Sequence, residues 1–114
     1  MSSIFIRTVA TAAIGLCVVT AAARAEDAPA IEMKDGVVTP QSLELAADTA
    51  TTLVVRNTGT AAAEFESKRL KQEQVVAPGS EVKIDLPALP AGEYEFVDEF
   101  HEDQASARGT IVVK

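Results

Sequence analysis

The feature that most limits what this chain can fold into is a repeated two-residue alternation of apolar and polar side chains. Glu81-Val82-Lys83-Ile84-Asp85-Leu86 alternates without a break, and Leu43-Glu44-Leu45 and Glu93 to Val97 do so over shorter spans. A period of two puts every second side chain on one face of an extended strand, so these segments read as half-buried strands. Between the strand segments lie Asp35-Gly36 and Pro40, Asn57-Thr58-Gly59-Thr60, Pro78-Gly79, and the run from Pro87 to Gly92. Each supplies the backbone conformations that turns require.

Ile31 to Lys34 reads as a first strand, Thr52 to Asn57 as a β-branched central one, Ala62 to Glu66 as the next, and Gly109 to Val113 as the last. Ser67 to Gln74, rich in Lys, Arg, Gln and Glu, fits either an irregular loop or a turn or two of helix. No long amphipathic helix and no internal repeat is found. About seven strands at this spacing predict an all-β Greek-key sandwich. Its expected core is Leu43, Leu45, Leu53, Val55, Phe65, Val82, Ile84, Leu86, Tyr94, Phe96, Ile111 and Val113. Tyr94 is expected to pack, with its hydroxyl hydrogen-bonded.

The first quarter reads as an address rather than a fold. Met1 to Arg7 is short and basic, Thr8 to Ala22 is apolar, and Ala23-Arg24-Ala25 has the small-x-small spacing of a signal-peptidase site. The expected organisation is a signal peptide over residues 1–25, a short leader over 26–30 and one domain over 31–114, exported to the periplasm. The apolar run is shorter than the ~20 residues of a bilayer span, so no stable membrane insertion is expected after cleavage. The single cysteine, Cys17, leaves with the signal. The exported chain then has no thiol for a disulfide, a thiolate metal site or a cysteine nucleophile.

All 17 acidic residues follow Ala25, whereas Arg7 and Arg24 precede the cut; eight basic residues remain, a net charge of −9. Such a surface repels nucleic acid and anionic membranes, so no nucleic-acid partner is expected. Acidity by itself serves either solubility or the attraction of cations.

The one histidine, His101, stands among Asp98, Glu99, Glu102 and Asp103, just before the last strand. Asp98 and His101 are three apart and follow a strand, which sets them on a loop at one end of the sandwich. Glu64 and Glu66 are two apart on a strand and share a face. Carboxylates gathered at one end repel each other unless a cation is present. One imidazole among oxygens moves preference from calcium toward iron, manganese, copper or zinc. Oxygen donors favour Fe(III) over Fe(II) and Cu(II) over Cu(I). A single histidine excludes a multi-histidine zinc site, Ser67 and Ser80 lack a hydrolase context, and no phosphate-cradling glycine loop occurs.

Four stretches carry a family likeness: Asp35-Gly36 and Pro40 with Leu43 to Thr49; Leu53 to Asn57 and Gly59 with Glu64-Phe65-Glu66-Ser67; Glu73 to Gly79; and Pro90 to His101 closing with Gly109, Ile111 and Val113. Spanning Glu32 to Lys114, they make the chain resemble the cupredoxins, and specifically cupredoxin-like relatives in bacterial periplasmic iron-uptake systems. The resemblance sets Glu64 where a blue-copper protein has its first histidine and Asp98 where it has cysteine, and it retains His101. A blue-copper site needs a thiolate, so no blue-copper centre is expected.

What the resemblance implies is a metal site of Glu64, Glu66, Glu73, Asp98 and His101, holding iron or copper, with manganese as a further candidate. Met33 is a weaker thioether candidate, and Glu99, Glu102 and Asp103 are either supporting groups or solvated acids. Lys68, Arg69 and Lys71 either pair with the acids or form a docking face. The implied role is handling Fe(II) and assisting its oxidation before uptake. The implied partners are a second periplasmic iron- and copper-binding protein and an inner-membrane iron permease. Two other readings stand beside it: a copper or manganese carrier without redox turnover, and a structural sandwich without metal.

Overall fold

The computed structural model describes Gly15 and residues 28–114. Apart from Gly15, the predicted signal peptide, with Cys17 and its cleavage site, lies outside the described residues. Nine strands follow in chain order: β1 (Ala30–Lys34), β2 (Val37–Thr39), β3 (Ser42–Leu45), β4 (Thr51–Asn57), β5 (Ala63–Ser67), β6 (Gln72–Val76), β7 (Glu81–Leu86), β8 (Gly92–Asp98) and β9 (Arg108–Val113). They form a four-stranded sheet in the order β2-β1-β4-β7 and a five-stranded sheet in the order β3-β9-β8-β5-β6. The β1–β4 and β3–β9 pairs are parallel and the rest antiparallel. The expected all-β sandwich is the observed fold. Among the described residues no helix is long and apolar enough to cross a membrane.

Two strands exceed the sequence expectation. Val37–Thr39 folds back on β1, pairing Val38 with Met33, where the turn at Asp35-Gly36 was expected to end strand structure. Gln72–Val76 forms β6, so the ambiguous stretch from Ser67 is a tight turn and then a strand rather than loop or helix. Ser67 explains the turn: its hydroxyl donates to the Glu95 carbonyl (2.7 Å) and accepts from the Leu70 amide (3.3 Å), and Leu70 is buried. β5 then supplies the ladder partners of β6, which local composition does not reveal.

Nine of the twelve predicted core residues are buried, and Leu43, Leu45 and Val82 pack half-buried against them. Ile31, Met33, Val38, Ala63, Leu70 and Val76 join the core, mainly from the strand ends and the two added strands. Phe65 and Phe96 stack with ring centroids 5.3 Å apart. Gly109 has no room for a Cβ, because the Phe96 ring fills that space. Tyr94 is buried as expected, its hydroxyl donating to the Pro90 carbonyl (2.7 Å), with Arg69 stacked over its ring.

The turns β1–β2 and β6–β7 and the loops β4–β5 and β8–β9 gather at one end. Asn57, buried, ties the β4–β5 loop to the end of β6. Its amide nitrogen donates to the carbonyls of Ala61 and Val76 (both 2.9 Å), and its side-chain oxygen accepts from the Gly59 amide (3.0 Å). Asp35 clamps the β4–β5 loop by accepting from the amides of Thr60 (2.9 Å) and Ala61 (3.0 Å). The Ala61 and Thr60 amides hold the Asp35 carboxyl below its ordinary value, with a smaller contribution from nearby His101.

Phe65→Ala should cost about 3–5 kcal/mol in chemical denaturation, whereas exposed Phe100→Ala should stay within about 0.5 kcal/mol of wild type. Because the native pKa of Asp35 is lowered, its contribution is present above the unfolded carboxylate range and lost as pH falls through the lower native value. Asp35→Asn keeps the acceptor and removes the charge. Its unfolding midpoint should therefore fall less steeply on acidification below about pH 5 than that of wild type.

Candidate metal-binding end of the sandwich

The register of β5 decides how the predicted ligands are distributed. Ala63, Phe65 and Ser67 are buried, so Glu64 and Glu66 stand half-exposed on the outer face of the five-stranded sheet. Glu73 pairs with Glu66 across the β5–β6 ladder, and directly paired residues share a face. Glu99 comes from a short 3-10 turn, Glu99–His101, that continues β8 past the edge of the sheet. One carboxylate oxygen from each of Glu64, Glu73 and Glu99 lies within 4.8 Å of the others. Of the described residues, these three alone form such a group of potential metal ligands.

Crowding on this face shows in two carboxyls, those of Glu66 and Glu99. Partial loss of solvent raises the Glu66 carboxyl above its ordinary range, and a side-chain hydrogen bond to Glu99 adds to this. Glu99 is raised chiefly by the same loss of solvent, with repulsion from Glu64 and Glu73 adding. The two carboxyls hold a proton between them more readily than free glutamates would.

Asp98 stands elsewhere. It pairs with Phe65 in the β5–β8 ladder, so it shares the buried face and is 1% exposed. One carboxylate oxygen accepts from the amides of Glu64 (3.0 Å) and Phe100 (3.2 Å), and the other meets His101 Nδ1 at 2.7 Å. Both oxygens are engaged by the protein, and Asp98 is not among the converging carboxylates. The His101 side chain is 19% exposed.

The loop carrying His101 is fastened at several points. Its carbonyl accepts from the Gln104 amide (2.9 Å), Ser106 donates to the Gly36 carbonyl (2.7 Å), and Arg108 donates to the Glu102 carbonyl (2.9 Å).

Of the five residues expected to form one site, Glu64, Glu66 and Glu73 lie on the outer face and Asp98 on the buried face, while His101 stands on the turn beyond the sheet edge, paired with Asp98. Glu99, expected as a supporting or solvated acid, is one of the three that converge. Glu102 and Asp103 are exposed, and Met33 is fully buried in the hydrophobic core. Lys68 and Arg69 line an open cleft on the outer face with Glu66, Glu93, Glu95 and Arg108, and Arg69 is spent on the Glu93 carbonyl and the Tyr94 ring.

Sequence reasoning missed the anchoring by Ser106 and Asn57. The Asn57-Thr58-Gly59 turn signal was the one hint of the latter. The donor chemistry does not fit a blue-copper centre, since the described residues include no cysteine and one histidine. Carboxylates with one imidazole fit a harder transition-metal ion.

Comparison with known proteins gives the family. The profile of the cupredoxin-like domain matches residues 7–113. An uncharacterized protein of Rickettsia prowazekii is 35% identical over 83 residues, covering 73% of this chain; the chain spans 65% of that relative's length. Three solved structures share the fold at low identity. Auracyanin from Roseiflexus castenholzii matches with TM-score 0.62 and 15% identity, over 76% of this chain and 96% of that one. A purple cupredoxin from Nitrosopumilus maritimus matches with TM-score 0.58 and 17% identity, over 75% and 99%. The metal-binding domain of a Streptococcus pneumoniae Cu(I)-exporting P-type ATPase matches with TM-score 0.60 and 14% identity, over 75% and 82%. A profile match over nearly the whole sequence, on a two-sheet sandwich of the same fold, makes this chain a member of the cupredoxin-like domain family.

Proposed function

We propose that this chain is a periplasmic metal-binding protein that takes a transition-metal ion at the loop end of the sandwich and handles Fe(II) for an iron-uptake system. The observation that carries this reading is the convergence of the Glu64, Glu73 and Glu99 carboxylates within 4.8 Å, beside a turn that also bears the only imidazole. Like charges at that separation raise the energy of the metal-free protein, and a bound cation relieves it. Glu64, Glu73 and Glu99 are the oxygen donors. Glu66 is coupled to them through Glu99, and His101, on the same turn as Glu99 but outside the three-carboxylate group, is the nitrogen donor this reading assigns to the ion.

Such a donor set stabilises Fe(III) relative to Fe(II), which suits a protein that assists oxidation of its cargo and passes it on. A second periplasmic metal-binding protein and an inner-membrane permease are the partners this role calls for. Two fold neighbours are a blue copper protein from Chloroflexus aurantiacus and the metal-binding domain of a Cu(I)-exporting ATPase, which supports copper carriage as the second reading of the same site.

Anaerobic titration with Fe(II), Mn(II), Cu(II) and Zn(II) distinguishes these roles. One saturable equivalent is expected. Glu73→Gln and Glu99→Gln should each weaken it by roughly tenfold or more, because each removes a full charge beside the ion. Admitting oxygen to the iron-loaded protein should oxidise Fe(II) faster than in buffer. Binding of Cu(II) without faster iron oxidation would favour the carrier, and binding indifferent to both substitutions would overturn the site.

The metal-free protein gives a further check. The raised pKa of Glu99 means the native state holds its proton more tightly than the unfolded chain, so stability falls as pH rises through the native value. Glu99→Gln should therefore raise the unfolding midpoint near pH 7, and the gain should shrink on acidification toward about pH 4. A saturating divalent ion should raise the midpoint of wild type more than that of the variant.

A further inference from the structure

Among the described residues Asp98 is the one acidic side chain that is buried. A buried carboxylate is costly unless its oxygens are met by donors, and here three meet them. The amides of Glu64 and Phe100 take one oxygen, and His101 Nδ1 lies 2.7 Å from the other. An ionised carboxylate can only accept, so the ring nitrogen facing it must donate. The neutral imidazole then carries its proton on Nδ1, and Nε2 is left with a bare lone pair.

We infer that Asp98 is a positioning residue rather than a metal ligand: it locks His101 in the Nδ1–H tautomer and presents Nε2 as the coordinating atom. The loop contacts from Gln104 to the His101 carbonyl and from Ser106 to Gly36 hold the backbone that makes this geometry repeatable. Hydrogen bonding of a coordinating histidine through its other ring nitrogen orients the ring and raises its basicity. What Nε2 coordinates rests on the metal-binding reading above; the tautomer does not.

Asp98→Asn separates these roles because the structure fixes which way the amide must face. Two backbone amides converge on one Asp98 oxygen, so the Asn carbonyl must occupy that position and its NH2 must face His101. Nδ1 then becomes an acceptor, and the proton moves to Nε2, where it blocks coordination.

The chain has a single histidine, so long-range 1H–15N correlation spectra of the metal-free protein, recorded near pH 8 where a free imidazole is neutral, report this ring alone. Wild type should show the proton on Nδ1, and Asp98→Asn should show it on Nε2. Zn(II) should shift Nε2 of wild type while Nδ1–H persists, and Asp98→Asn should bind Zn(II) roughly ten- to a hundredfold more weakly. A wild-type proton on Nε2, protons on both nitrogens, or loss of Nδ1–H on adding Zn(II) would overturn the inference. The wild-type spectrum decides the tautomer without any substitution. The predicted tautomer together with no Zn(II) response in either protein would uphold the positioning role of Asp98 and reject the metal reading.

Discussion

The buried carboxylate of Asp98 is the constraint on which this end of the molecule depends. It ends β8, receives the Glu64 amide from the start of β5, receives the Phe100 amide from the turn beyond, and faces the imidazole of His101. A group of this kind ties two strands and a loop together in one orientation, because any other leaves a charge without donors in a dry environment. The stacked Phe65 and Phe96 rings in the core beside it keep water away.

From that anchor the two faces of β5 take different tasks. The inward face supplies Ala63, Phe65 and Ser67 to packing, while the outward face gathers carboxylates that destabilise one another. Partial loss of solvent and mutual repulsion raise both Glu66 and Glu99. A fold does not gain stability from such an arrangement in the absence of a cation. Its presence on a rigid sheet, with Glu99 delivered by a short turn, is the physical case for the proposed ligand-binding end.

Much of the fold was legible in the sequence because period-two alternation reports directly on a sheet with one buried face. Leu53, Val55, Ile84, Leu86, Phe96 and Ile111 were all placed in the core on that ground. β2 and β6 were not legible. β2 is three residues long, and β6 exposes Glu73, Gln74 and Val75, so neither carries a hydrophobic period of its own.

The site was legible in composition but not in geometry. Counting along β5 places Glu64 and Glu66 on one face, yet only the β5–β8 register assigns Asp98 to the other. The place of Glu99 depends on a single 3-10 turn, which leaves no period to read.

X-ray absorption at the metal edge of the iron-loaded protein, and again of the Cu(II)-loaded protein, tests the central claim most directly, because it reports the donor atoms themselves. The account predicts a shell dominated by oxygen, with one imidazole whose outer-shell scattering disappears in His101→Ala, and no sulfur. A shell without imidazole, or one that Glu73→Gln and Glu99→Gln leave unchanged, would contradict it.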